Sequence, residues 1–237
     1  MAQKPRFDQL DIGSYVGGAE GFQLFDDFIG STTPMLLGWS QGVAGAGAAV
    51  AVDTTLVAPG TPGVISLSTG TTTTGRAVQF LGTRAVALPP LPGNFQCEWR
   101  VRLPVLPTVA DQFFANVGMQ DTPNTATEGV DAVSFRLPAS TVSANWIAYV
   151  RKAGVETLAN TGVPVAINSW TKLRMQTTTA GNLQFLINNV VVATIAAAAL
   201  PTAAMAPAAK IVKSAGANAR TLFADYALVH AQLAASR

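Results

Sequence analysis

The sequence predicts an all-β fold, an antiparallel two-sheet β-sandwich with an extended N-terminal arm. Three observations lead there. Beyond Gly21, short runs rich in Val, Ile, Phe, Trp and Thr alternate with clusters of Gly, Pro, Asn and Asp, the pattern of many strands joined by turns. From Phe95 to Leu103 every odd residue is apolar and every even one polar, the period of a strand with one buried face. No stretch carries a convincing helical stripe.

In chain order, residues 1–21 are polar and end in Gly17-Gly18-Ala19-Glu20-Gly21, with no periodic apolar face. They read as an arm that an adjacent subunit would hold down. Residues 22–237 read as one sandwich domain, since sandwiches of roughly 200–250 residues commonly form a single domain. Strands are expected at Phe22–Ile29, Val64–Thr69, Ala77–Leu81, Phe95–Leu103, Phe113–Gln120, Val133–Leu137 and Trp146–Lys152. Trp170–Thr177, Leu183–Ile187 and Val190–Ile195 form a meander, its second turn at Asn188-Asn189, because Asn tolerates the positive φ of a type I′ turn. Lys210–Lys213 and Leu222–Ala231 complete a dozen strands, too many for one flat sheet and suited to two. Parity buries Cys97, Trp99 and Val101. Trp39, Trp146 and Trp170 are also assigned to the core, and Glu98, Arg100, Arg102 and Arg136 to a solvated or subunit-facing surface.

Composition limits the function. The 237 residues are 49% hydrophobic and 12% charged, with mean hydropathy +0.32. A net charge of +2 gives no dominant field for phosphate backbones or anionic lipid, so neither nucleic acid nor membrane is an expected partner. So little charge suits a surface partly covered by neighbouring subunits. Cys97 is the sole cysteine, which excludes an intramolecular disulfide and any Cys-based zinc site within one chain. The first ten residues lack the apolar segment of a secretory signal, which points to synthesis in a cytoplasm.

A set of landmarks, taken in order, resembles the concanavalin A-like lectin/glucanase superfamily, a jelly roll also found in virion structural proteins of tailed bacteriophages. They begin with Phe25-Asp26-Asp27-Phe28, Gly38-Trp39 and Gly63-Val64-Ile65-Ser66-Leu67-Ser68-Thr69-Gly70. Val117-Gly118-Met119-Gln120-Asp121, Ser134-Phe135, Trp146, Gly162 and Ser169-Trp170-Thr171-Lys172-Leu173 follow. The stretch Gly181 to Asn189 and the closing Asp225-Tyr226-Ala227-Leu228-Val229 complete the series.

The resemblance implies what to seek. Its sugar-cleaving members carry two carboxylates on one strand, about 5–5.5 Å apart when the reaction retains configuration. Here the comparable strand has Glu98 alone between Gln96 and Arg100, so no enzyme is expected. A structural calcium between first and last strands would fall to Asp26, Asp27 and Asp225; no other cofactor is expected. Gly38-Trp39-Ser40-Gln41-Gly42 matches the nucleophile-elbow pattern, but no strand-to-helix context surrounds it and His230 is the lone imidazole. Gly42 to Gly47 reads as a bend between strands.

The expected function is that of a bacteriophage virion structural protein made in the host cytoplasm, decorating or cementing the head. Its partners would be the major capsid protein and further copies of itself, a trimer suiting a site of threefold symmetry. The alternative is a carbohydrate- or receptor-binding module of a tail fibre, using the concave sheet or loops 121–128 and 139–145.

Overall fold

In the computed structural model, residues 21–28, 38–82, 86–87, 95–139 and 145–232 are described, and they form sixteen strands and one short 3-10 turn, Ala197–Ala199. The strands are β1 (Gly21–Asp26), β2 (Trp39–Ala44), β3 (Ala48–Val52), β4 (Ile65–Thr69), β5 (Arg76–Leu81), β6 (Val86–Ala87), β7 (Phe95–Arg102) and β8 (Phe113–Gln120). There follow β9 (Ala132–Leu137), β10 (Asn145–Lys152), β11 (Val155–Pro164), β12 (Thr171–Thr177), β13 (Leu183–Ile187), β14 (Val190–Ile195), β15 (Ala204–Lys213) and β16 (Thr221–Gln232). The arm expected over residues 1–21 lies outside the described residues apart from Gly21, which opens β1.

The first sheet has the order β14-β13-β12-β7-β16-β4-β3, with β1 also on β16; the second has β11-β10-β9-β8-β15-β5-β2, with β6 also on β15. All pairings are antiparallel. The two-sheet sandwich is therefore the one the sequence predicts. Trp99, Cys97 and Val101 from β7 and Phe135, Val133 and Val117 from β9 and β8 are buried in one shared core. Within it Trp39 meets Trp99 edge-on at 5.5 Å and Phe135 meets Phe185 at 5.2 Å, separations at which aromatic pairs attract beyond their area.

Two strands change partner along their length, and each does so where its sequence permits. β16 pairs through Thr221–Ala224 with β4 and through Ala227–Gln232 with β1. Its register against β7 shifts between Ala224 and Tyr226, so Asp225 sits in a bulge, which re-aims a side chain. β15 passes from β6 to β5 around Pro207, between Met205 and Ala208 in the pairings. Proline has no N–H to give, and this gap between partners asks for none.

The predicted strands are present, with differences of extent. β15 begins at Ala204 rather than Lys210, because its Ala-rich first half and Pro207 hide the period. β2, β3, β6 and β11 were not anticipated. β2 and β3 are Gly- and Ala-rich, and β11 is an outer strand with no fully buried residue. The Asn188-Asn189 turn joins β13 to β14 with φ of 50° and 71°, the left-handed pair it needs.

Candidate functional site

Each sheet presents an outward face, and pairing aligns its side chains in rungs. Across the first sheet Tyr226, Arg100 and Lys172 form one rung, and Phe25, Leu228, Glu98, Arg174 and Leu186 the next. Beyond these lies a polar rung, Gln23, His230, Gln96, Gln176 and Gln184, in which Gln176 donates to Gln184 at 3.1 Å. At the opposite end Phe223 stands beside Arg102.

Glu98 is the hub. Although it points away from the core, its neighbours leave it 4% exposed. Arg174 Nε donates to Oε2 at 2.5 Å, the Tyr226 hydroxyl donates to Oε1 at 2.6 Å, and Lys172 Nζ lies 3.7 Å from Oε1. Glu98, expected on a solvated or subunit-facing surface, does face outward but is not solvated: a carboxylate can be buried on a sheet face when charged donors flank it. Burial and this bond hold the Tyr226 hydroxyl above the usual phenol range.

Arg100 joins three elements. Nη1 donates to Asp225 Oδ2 at 2.7 Å and to the Gly60 carbonyl at 3.1 Å, while the guanidinium lies over the Trp170 ring, 5.2 Å from its centroid. Trp170, assigned to the core from sequence, instead stands half-exposed on this face, because the next residue, Thr171, is the one whose parity points inward. Trp39, Trp99 and Trp146 are buried as expected. Phe25 packs against Tyr226 at 5.7 Å.

The outward face of the second sheet is covered by the chain itself. The segment joining β8 to β9, residues 121–131, folds back over it. Lys210 Nζ donates to the Thr127 carbonyl at 2.9 Å, Arg151 Nη1 to the Glu128 and Gly129 carbonyls at 3.2 and 2.8 Å, and Arg76 Nη2 to Asn124 Oδ1 at 3.1 Å. Asn116 donates to Glu128 Oε2. A Cβ at Gly42 would collide with Asn124, so glycine there is what lets the segment lie against β2. Beneath it Arg136 stacks on Tyr149 and Phe114, 5.1 and 5.6 Å from their centroids. Lys210 is fully buried, and loss of water pushes its ammonium down to about 8. Of the loops named from sequence, 121–128 is this cover; residues 140–144 of the other lie outside the described residues.

The remaining sequence candidates fall as follows. Ser40 lies on β2 of the second sheet and His230 on β16 of the first, and the Ser40 segment is a plain strand paired with β5. Gly45 and Gly47 form the bend between β2 and β3, with φ of 105° and 71°. Asp26 Oδ1 accepts the Phe28 amide at 2.8 Å, and burial raises its pKa against that bond. Burial likewise raises Asp225, opposed by Arg100, and Asp27 acts on both electrostatically. Asp225 Oδ1 is buried without a partner. The guanidinium already supplies the positive charge there, however, and among the described residues no three His, Cys, Asp or Glu side chains converge as a metal requires. These donors fit an ion pair better than calcium.

No described strand bears two carboxylates: β1, β7, β11 and β16 carry one each. The outward positions of β9 are Ala132, Ser134 and Arg136. The outward face of the first sheet presents half-exposed aromatics, guanidinium groups and amides.

Comparison with known proteins agrees with this architecture. None of the curated proteins matches the chain. Among solved structures it is similar to SO2946 of Shewanella oneidensis MR-1, a protein of unknown function, with TM-score 0.65 and 13% identity over 96% of this chain and 93% of that one. It is similar also to an endo-1,3-β-glucanase from Streptomyces sioyaensis, TM-score 0.62 and 13% identity over 97% and 99%. The Emp47p carbohydrate recognition domain matches with TM-score 0.60 and 12% identity over 89% and 94%. At such identity these likenesses establish the fold, a concanavalin A-like jelly roll. The family described as SO2946-like, C-terminal domain, matches residues 60–225, well over half of the sequence, and the chain belongs to that family.

Proposed function

We propose that this chain is a non-enzymatic structural protein of a bacteriophage virion, made in the host cytoplasm and acting as a head decoration or cement subunit on the major capsid protein. The observation that carries the non-enzymatic part is Glu98. Both its oxygens are engaged by Arg174 and Tyr226, and no second carboxylate shares its strand, so neither half of a hydrolytic pair is free. A structural role is supported by the apolar side chains on the outer strands β11 and β14, which lie against each other. Val155, Leu158, Val190 and Val191 are 71%, 56%, 65% and 48% exposed, as contact residues awaiting a neighbour would be. The test is addition of purified protein to undecorated heads. Saturable binding at a fixed ratio to the capsid protein is expected, and a protein that stays in the supernatant overturns the reading. Turnover of a β-1,3-glucan would overturn its non-enzymatic part.

A second reading, a carbohydrate- or receptor-binding module of a tail fibre, is favoured by the half-exposed Trp170 and Tyr226 on the open face of the first sheet. The shared fold with a carbohydrate recognition domain supports it. A glycan array probed with the isolated protein tests it: specific retention is expected, and a blank array removes the reading.

A further inference from the structure

The outward face of the first sheet holds more positive charge than its own acids neutralise. Glu98 takes up Arg174, and Asp225 takes up Arg100. Lys172 remains 3.7 Å from an already occupied Glu98 oxygen, and the Nη2 of Arg102 meets the neutral side-chain oxygen of Asn168 at 3.2 Å. Arg102 Nε is buried without a partner. Of the other acids of this region, Asp26 ends β1 and Asp27 follows it, acting electrostatically on Asp225. The surplus is therefore concentrated at Arg102 and Lys172, on either side of Arg100 and Trp170.

The same face supplies what sugar rings need. Trp170 and Tyr226 are half-exposed aromatic side chains, and Gln96, Gln176 and Gln184 line up as neutral donors and acceptors. Rungs on a strand recur every ~6.8 Å, so the four rungs extend over roughly 20 Å, room for several sugar units. The face has its cations arranged to pair with carboxylates. It already seats two carboxylates, Glu98 between Arg174 and Tyr226, and Asp225 on Arg100 beside Trp170.

We propose that this face binds a uronate-bearing polysaccharide, its carboxylates pairing with Arg102 and Lys172 and its rings resting on Trp170 and Tyr226. The proposal rests on the glycan-binding reading above and gives it a face and a ligand class.

Affinity electrophoresis of the full chain in gels containing polygalacturonate, dextran sulfate or neutral dextran tests it. Polygalacturonate is expected to retard the protein, less so as salt rises, because exposed ion pairs are screened. The double variant Arg102→Gln, Lys172→Gln should lose about tenfold or more in affinity, the scale of one or two charge-assisted hydrogen bonds. Trp170→Ala should weaken binding similarly, and Lys152→Gln, on the second sheet, should not. Circular dichroism melts of each variant separate lost binding from lost fold. Undiminished retardation of the folded double variant overturns the proposal. Retardation by dextran sulfate but not polygalacturonate overturns the uronate assignment. Binding of neutral glycans alone overturns the proposal but leaves the glycan-binding reading standing; no glycan binding at all removes both.

Discussion

The hydroxyl of Tyr226 donates to Oε1 of Glu98 at 2.6 Å, tying the last strand of the first sheet to its central one on the side facing away from the core. With Arg174 on the other oxygen, the carboxylate becomes a structural joint between β7, β12 and β16.

Replacing that joint by an amide should cost stability. Glu98→Gln keeps the volume but leaves Arg174 and Lys172 facing a neutral group. Their side chains are 24% and 33% exposed, so water recovers part of the loss. The expected decrease is about 1–3 kcal/mol, read as a lower urea midpoint at unchanged slope. An unchanged midpoint would show that the joint contributes nothing.

Lys210 should make stability rise between about pH 8 and pH 10. Burial lowers its folded-state pKa to about 8, from 10.5. In that window the unfolded chain binds more protons than the folded one, so stability increases with pH; below it the full penalty of the buried ammonium is present. Tyr149 and Tyr226, held above the usual range chiefly by burial, act oppositely once pH passes 10, since the folded state then keeps protons the unfolded chain loses. Relative to Lys210→Met, the unsubstituted protein should gain about 2 kcal/mol from pH 8 to pH 10. Parallel pH profiles of the two would contradict this.

Cys97 should be inert in the folded protein. It is fully buried, and burial pushes its thiol up to about 12, so almost no thiolate exists at pH 8. A chromogenic disulfide reagent should release no signal from native protein and one equivalent after denaturation. Fast native labelling would mean that the core opens far more readily than its packing implies.

Two tryptophans that look alike in sequence should behave differently. Trp99→Ala empties a fully buried site and should cost about 3–5 kcal/mol. Trp170→Ala removes a half-exposed ring under Arg100 and should cost about 1 kcal/mol or less. Thermal melts of the pair would show it, and equal losses would return Trp170 to the core.

Chelation should leave the melting temperature unchanged, since Arg100 compensates Asp225. A clear drop with EDTA, reversed by calcium, would place an ion at Asp26, Asp27 and Asp225 after all.

The sequence by itself determined the two-sheet class, the inward set Cys97, Trp99 and Val101, the hairpin at Asn188-Asn189 and the lack of two acids on any described strand. Each is a local property: a period of two, a turn that needs positive φ, or a residue type that is present or missing. The sequence was silent on strands whose period is blurred, as in the Ala-rich start of β15 and the half-exposed β11. It misplaced Trp170, and it read Glu98 as outward without its burial, because an outward position says nothing about what stands beside it. Only the tertiary structure brought Glu98 to Tyr226, 128 residues away, and Lys210 under the Thr127 carbonyl, 83 residues away. Those meetings depend on which strands become neighbours, and that choice is made by the packing of the whole core, which no short window of sequence records.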